Sequence, residues 1–333
     1  MKILACGFAI LDILVAGLER LPEPGGVVLA PLGIKFWIGG HPVNVSMDLM
    51  QLGCARGDVA ASFAVGKDLA GEFIRRKLEE AGVLTFVQLV DEADTGKTVV
   101  LVLQGRDRSF IGSPGANFHL SLDHVMNSIS KFSPDIFYLA CGILGEFDYK
   151  IDKVLELCRS RGMITLLDVA PPHGKGWDFL IKALKHVDVF HVNVDELREI
   201  TGSRNVVKGL VKLRELGVRL PVVTGGGSGA FLLARGKYLH QPSFKVKMVD
   251  PTGAGDAFCA GLIKFIVDRK LSKDRLVNLS MEEYAEMLLF AQAVGAACVE
   301  GVGTTTGVKL ERVAQLLKSQ SEKILSSTIV RLC

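Results

Sequence analysis

Two aspartates bracket a glycine-rich turn in Val249-Asp250-Pro251-Thr252-Gly253-Ala254-Gly255-Asp256-Ala257-Phe258, and the second stands where a helix is expected to begin. The amides of Ala254, Gly255 and Asp256 would be first-turn donors without acceptors, and the helix dipole adds partial positive charge at the same spot. Gly253 and Gly255 put no side chain in an anion's way, and the turn they permit forms a concave nest of amides. A carboxylate beside a bound phosphate repels it unless it has a job. The job that suits Asp256 is to take the proton from a hydroxyl attacking a phosphoryl group. A turn merely capped by Asp250 or Thr252 would account for the helix, but neither for two glycines nor for the second aspartate.

Four other places bear on that chemistry. Gly39-Gly40-His41-Pro42-Val43-Asn44 opens a helix expected over about 42–52, with Pro42 in its first turn, Val45, Leu49 and Leu52 at helical spacing and Gly53 as its stop. The Asn44 amide can meet a sugar hydroxyl as donor or acceptor, and Gly39 and Gly40 let a ring approach the backbone. His41 is read as a packing or surface histidine. The apolar run from Lys2 is read as a buried strand that delivers Asp12 at its end, a natural acceptor for a pair of hydroxyls. Asp12 interrupts that run, which speaks against a secretory leader. A strand over 187–192 leads into Asn193-Val194-Asp195-Glu196, which suits either magnesium chemistry through an oxygen ligand or a capping box at a helix start. Finally, Thr224-Gly225-Gly226-Gly227-Ser228-Gly229-Ala230 imitates a dinucleotide fingerprint. The segment beyond Ala230 reads as a strand and hairpin instead of the helix such a fingerprint requires.

Taken in order, these motifs resemble those of the ribokinase-like, phosphofructokinase B-type carbohydrate kinases, and the resemblance covers essentially the whole chain. It implies transfer of the γ-phosphate of ATP to a sugar or nucleoside hydroxyl. Asp256 would be the base, and Gly253, Ala254 and Gly255 the anion hole. Asp12, Gly39, Gly40 and Asn44 would hold the substrate. Asn193, Thr224, Gly226 and Gly229 would lie along the nucleotide, and Glu196 would organise Mg²⁺ through water. Asp250 and Thr252 stand where a monovalent-cation loop would begin, so the resemblance leaves room for an ion such as K⁺. Gly115-Ala116-Asn117 and Phe290 to Ala297 echo further family segments, the latter bordering the adenine. Asp168-Val-Ala-Pro-Pro lacks the downstream arginine pattern of several fructokinase-like and ketodeoxygluconate kinase-like members, which speaks against an acidic sugar there, and Gly301-Val-Gly303-Thr-Thr-Thr departs from the usual late pattern.

The elements needed to position these groups are legible in hydropathy. Strands at 59–65, 136–140 and 163–168 alternate with helices at 69–81, 149–161 and 177–186, which predicts an α/β fold: a Rossmann-like, mainly parallel sheet sandwiched by helices. Asp168, Val192 and Val223 would end strands, where open α/β sheets bind ligands. Residues 13–37 and 96–113, with turns at Pro22 to Gly26 and Gln104 to Asp107, have no helix between strands. By resemblance they form a small β-sheet lid on one domain spanning 1–333. Phe36, Trp37 and Ile38 are candidates to bury the lid against a second copy, making a homodimer.

Composition agrees with a cytoplasmic enzyme. The 333 residues are 49% hydrophobic and 23% charged, enough to bury about three quarters of the unfolded surface. The net charge of +3 without a basic cluster argues against nucleic acid, and the run at the amino terminus is too short for a membrane span. Seven cysteines without a Cys-x-x-Cys pair fit reduced thiols. Cys259 is read as helix packing. Within the kinase reading a neutral sugar leads and a nucleoside is second, stacked on Phe110 or Phe36. A sugar phosphate would call on Arg106 or Arg108. From another class, a silent sugar-binding protein shares the fold but has no need of an intact base and anion hole.

Overall fold

Apolar runs such as Val59–Gly66, Ile136–Cys141 and Ile164–Val169 are buried at every residue. Because successive side chains in a strand point to opposite faces, such runs require cover on both sides, and they form the middle of a mostly parallel sheet. The computed structural model describes residues 1–103 and 109–333. Its large sheet has ten strands in the spatial order Ile329–Leu332, Lys237–Gln241, Ala230–Ala234, Leu220–Thr224, Val189–Asn193, Ile164–Val169, Ile136–Cys141, Ile3–Cys6, Val59–Gly66 and Leu84–Val90. From Leu220–Thr224 to Leu84–Val90 every pairing is parallel, and the three strands at the other edge are antiparallel. The α/β expectation therefore holds.

A second sheet has four strands in the order Ile34–Gly39, Ile10–Leu18, Gly96–Leu103 and Ser109–Ser113. This is the small sheet expected beside the main one, with different limits. The amino-terminal strand is not one element ending at Asp12. Ile3–Cys6 lies in the large sheet, the chain turns at Gly7, and Asp12 is the third residue of the small-sheet strand Ile10–Leu18. Gly7 makes the turn with φ +146°, where a Cβ would sit 2.6 Å from the Ala140 carbonyl oxygen. The expected turn at Gln104 to Asp107, with Arg106 and Arg108, lies outside the described residues.

Helix Leu69–Ala81 falls where hydropathy placed it, capped by Asp68, which accepts from the Gly71 amide at 2.9 Å. The expected 149–161 helix divides into a 3₁₀ turn, Gly145–Lys150, and helix Ile151–Ser160. At 177–186 there is no full helix, only the turn Asp178–Leu180 and the four residues Ile181–Leu184. The chain must reach the strand at Val189, and buried Asp188 is held to the Thr165 amide at 3.0 Å, so the helix has no room to continue. Among the described residues no helix is long and apolar enough to cross a membrane.

Candidate active site

The helix predicted after the glycine turn runs Ala254–Asp268, with Gly253 as its N-cap at φ +82°. No side chain caps it, so neither Asp250 nor Thr252 plays that part. Instead Asp250 accepts from the Thr252 amide and hydroxyl, at 2.9 and 2.7 Å, and from the Gly303 amide at 3.0 Å, which ties the turn to the late loop. A Cβ on Gly253 would fall 2.2 Å from the Thr304 carbonyl oxygen, so only glycine fits there. The expected trio of free amides is reduced to two: the Ala254 amide is turned back to the Pro251 carbonyl at 3.3 Å, leaving Gly255 and Asp256 as the first-turn amides that face outward for an anion.

Asp256 is buried, with 6% of its surface exposed, and its Oδ2 accepts from Asn44 Nδ2 at 2.8 Å. Asn44 sits in helix His41–Gln51, which starts one residue early relative to expectation and packs its buried face, including Val45 and Leu49, inward. The reading of His41 as packing or surface is corrected. Its Nε2 stands 3.5 Å from Asp256 Oδ1, with the ring held edge-on against Phe8 at 4.8 Å. Burial raises the Asp256 carboxyl and the Asp168 charge adds to this, while His41 and Asn44 oppose it. Asp12 is pushed up to about 7, by burial first and then by the charges of Asp256 and Asp250. Gly39 makes this possible, because a Cβ there would lie 2.2 Å from Asp12 Oδ2. At Gly40, φ +95° brings the backbone against the Phe8 carbonyl, where a Cβ would sit at 2.2 Å.

On the other side of the helix start lies a cavity of about 420 Å³. Gly255 and Ala254 form one wall, Asn193, Thr224, Gly226 and Gly229 another, and Gln292, Gly295 and Ala296 of helix Met281–Cys298 a third. Gly229 has φ +90°, and a Cβ there would clash with the Gln241 carbonyl at 2.0 Å. Nothing lies within 4 Å of a Cβ on Gly226 or Gly227, so side chains there would project into open space along the cavity. The loop closes as a 3₁₀ turn, Gly226–Ser228, and continues as strand Ala230–Ala234, so it is not a dinucleotide fingerprint. Asn193 and Glu196 form a reciprocal capping box, at 2.8 and 2.9 Å, at the head of helix Val194–Thr201. Glu196 is pushed up to about 7, by burial and then the Asp168 charge.

A family model described as pfkB family carbohydrate kinase matches residues 9–310. The chain belongs to that family. It is 28% identical over 323 residues to a fructokinase of Klebsiella pneumoniae, covering 92% of this chain and 96% of that one. To an aminoimidazole riboside kinase of Salmonella typhimurium it is 27% identical over 288 residues, covering 81% and 84%. Among solved structures, Arabidopsis thaliana ribokinase complexed with ribose and ATP matches with a TM-score of 0.77 at 25% identity, over 95% of this chain and 98% of that one. The protein is accordingly a phosphotransferase of the sugar and nucleoside kinase class, and the catalytically silent alternative falls away.

In this pfkB kinase the sequence reading named Asp168 and Thr224 but missed Tyr138 and His191, which join them in one row beneath the site. Asp168 accepts from the Tyr138 hydroxyl at 2.9 Å and approaches His191 Nδ1 at 3.1 Å, while His191 Nε2 meets Thr224 Oγ1 at 3.0 Å. Burial works to raise Asp168, but His191, His41 and the Tyr138 hydroxyl outweigh it and hold the carboxyl well below the usual range. Burial likewise opposes charge on His191, yet the Asp168 charge and hydrogen bond outweigh it, so its pKa is raised. The available signal was the ending of adjacent strands in polar residues, legible for Asp168 but not for a histidine inside an apolar run. Cys259 packs as expected: its Sγ lies 3.4 Å from Asp168 Oδ2, and burial pushes the thiol well up, which suits no nucleophile.

Proposed function

We propose that this kinase transfers the γ-phosphoryl group of ATP to a hydroxyl of a small neutral sugar, with Asp256 as general base. The carrying observation is the placement of Asp256. One carboxylate oxygen is fixed by Asn44, and Oδ1 has no hydrogen-bond partner beside the uncapped amides that face the glycine-lined cavity. Asp12 and Asn44 bind and orient the acceptor sugar, whose ring approaches over Gly39 and Gly40. Asp256 accepts the hydroxyl proton as the oxygen attacks, and its raised pKa brings it nearer to neutral pH, where a general base is most useful. The amides of Gly255 and Asp256 supply preorganised donors for charge on the phosphoryl oxygens. Thr224, Gly226 and Gly229 bound the phosphates, and Asn193 reaches them from the facing strand end.

The donor set fits a divalent cation. Glu196 and Asp256 are oxygen donors that burial raises and the Asp168 charge raises further, and neither lysine nor arginine is among the charges that principally act on them. Glu196 would hold Mg²⁺ through water, and bound Mg²⁺ would neutralise nucleotide phosphate charge. A K⁺ ion near Asp250 and Thr252, and a cytoplasmic location, belong to the same reading. So does one domain of 1–333 with the small sheet as lid.

A nucleoside acceptor is the second reading, favoured by the likeness to an aminoimidazole riboside kinase. A sugar phosphate would need Arg106 or Arg108, which lie outside the described residues. The test is Mg²⁺-dependent ATP consumption against pentoses, hexoses, inositols, sugar phosphates and nucleosides, with Asp256→Asn as the blank. Turnover of one neutral sugar that the variant lacks supports the reading. Turnover confined to nucleosides replaces it with the second.

A further inference from the structure

Four neighbouring strands of the large sheet each send one polar side chain into a single row. Tyr138 comes from Ile136–Cys141, Asp168 from Ile164–Val169, His191 from Val189–Asn193 and Thr224 from the end of Leu220–Thr224. The links are 2.9, 3.1 and 3.0 Å long. Asp168 cannot swing away, because Oδ1 also accepts from the Val169 amide at 2.9 Å and Oδ2 contacts Cys259 Sγ at 3.4 Å. A carboxylate only accepts, so His191 must present a hydrogen on Nδ1; a second hydrogen, on Nε2, would be donated to Thr224 Oγ1 and leave the Thr224 hydrogen free for a phosphate. The ring itself is buried and lies against Phe258, with ring centroids 5.3 Å apart. Gly255 leaves space beside it, since even a Cβ there would stand 3.4 Å from His191 Cε1.

Thr224 is the only member of the row that lines the cavity beside the anion site. A threonine hydroxyl can occupy any of three staggered positions, and one hydrogen bond from below suffices to choose among them. We infer that His191, anchored by Asp168, is a positioning residue for the nucleotide: it holds the Thr224 side chain in the rotamer that offers its hydroxyl to a phosphate. This rests on the reading of Thr224 as a nucleotide-side residue. The same row passes under the catalytic helix, where Cys259 lies one turn beyond Asp256, so the nucleotide wall and the base share one buried support.

The test is a double-mutant cycle read by calorimetric titration of the full chain with ATP and Mg²⁺. Thr224→Val and His191→Phe should each weaken ATP about three- to tenfold, the effect of one hydrogen bond to a charged ligand. The double variant should be no weaker than either single one, because both remove the same interaction. His191→Gln, whose amide reaches the place of Nε2, should bind within about twofold of wild type. Multiplying losses in the double variant, or full ATP affinity in His191→Phe, would overturn the inference. Should His191→Phe not fold, the nitrogen-15 resonance of His191 Nε2 decides without it: Thr224→Val must shift it, and an unmoved resonance rejects the contact. If Thr224→Val alone leaves ATP binding unchanged, the nucleotide role of Thr224 falls and the positioning role with it, whereas the proposal for Asp256 stands on its own assay.

Discussion

Asn44 Nδ2 donates to Asp256 Oδ2 at 2.8 Å across 212 positions of sequence. The bond joins the first helix of the chain to the glycine turn near its end, so the proposed sugar ligand and the proposed base are one unit. It fixes one carboxylate oxygen and leaves the other, Oδ1, without a hydrogen bond and 3.5 Å from His41 Nε2.

Asp256→Asn is expected to lower kcat by about 10²- to 10⁴-fold while changing the KM of the sugar little, because general-base catalysis acts in the transition state. Steady-state kinetics with a turned-over acceptor checks this. Turnover close to wild type would remove the base assignment.

Asn44→Ala should act through the same bond. The Asn44 amide stabilises ionised Asp256, so its loss raises the Asp256 pKa further and moves the acidic limb of the kcat/KM profile to higher pH. The KM for sugar should rise about tenfold as well, as expected for a lost hydroxyl contact. An acidic limb that stays in place while KM rises would leave Asn44 as a substrate ligand only.

Gly253 and Gly255 should respond oppositely to alanine. At Gly253 the positive φ and the 2.2 Å approach to the Thr304 carbonyl predict a loss of about 1–3 kcal/mol in stability, with activity lost too. At Gly255, a helical position with no contact closer than 3.4 Å, alanine should hold or raise stability by up to about 1 kcal/mol. Its methyl group, 3.4 Å from His191 Cε1 at the cavity wall, should still raise the KM for ATP. Thermal melts paired with ATP kinetics separate the two.

Stability of the ligand-free protein should depend on pH through Asp12. Its folded pKa of about 7 lies above the ordinary 3.8, so its contribution is fully present below about pH 4 and is lost as pH rises through 7. Asp12→Asn should therefore gain on wild type across that window, by on the order of 1–2 kcal/mol at pH 8. Melting temperatures of both proteins from pH 4 to 8 would show it. Parallel curves would mean that Asp12 is not charged against its surroundings.

The outer face of the small sheet bears on oligomeric state. Phe36, Ile13, Val99 and Ile111 lie in register across its four strands, and Phe36 is 58% and Ile111 63% exposed. Asp12 and Trp37 take the opposite face, toward the site. Trp37 packs over Gly303 and Ile38 is buried, so of the three residues expected to meet a second copy only Phe36 is placed to do so. Light scattering at micromolar protein should give a dimer that Phe36→Asp dissociates, and a monomeric wild type would remove the dimer.

Much of this protein was decided locally. The glycine turn before Asp256, the helix from Gly40 to Gly53 and the strand-helix alternation depend on φ preferences, caps and hydropathy periods, which act over a few residues. Their limits could be read to within a residue or two wherever caps were strong, as at Asp68 and Gly82. Other features had no local cause. Gly7 diverts the first strand into a different sheet because the Ala140 carbonyl lies beside it, and Asp188 ends a helix early because a neighbouring strand claims it. His41 became a neighbour of Asp256, and His191 the support of Thr224, only when four strands and two helices came together. A histidine in an apolar run carries no sign of its partners. Its role depends on which carboxylate the fold brings within about 3 Å, and packing between distant segments alone sets that distance.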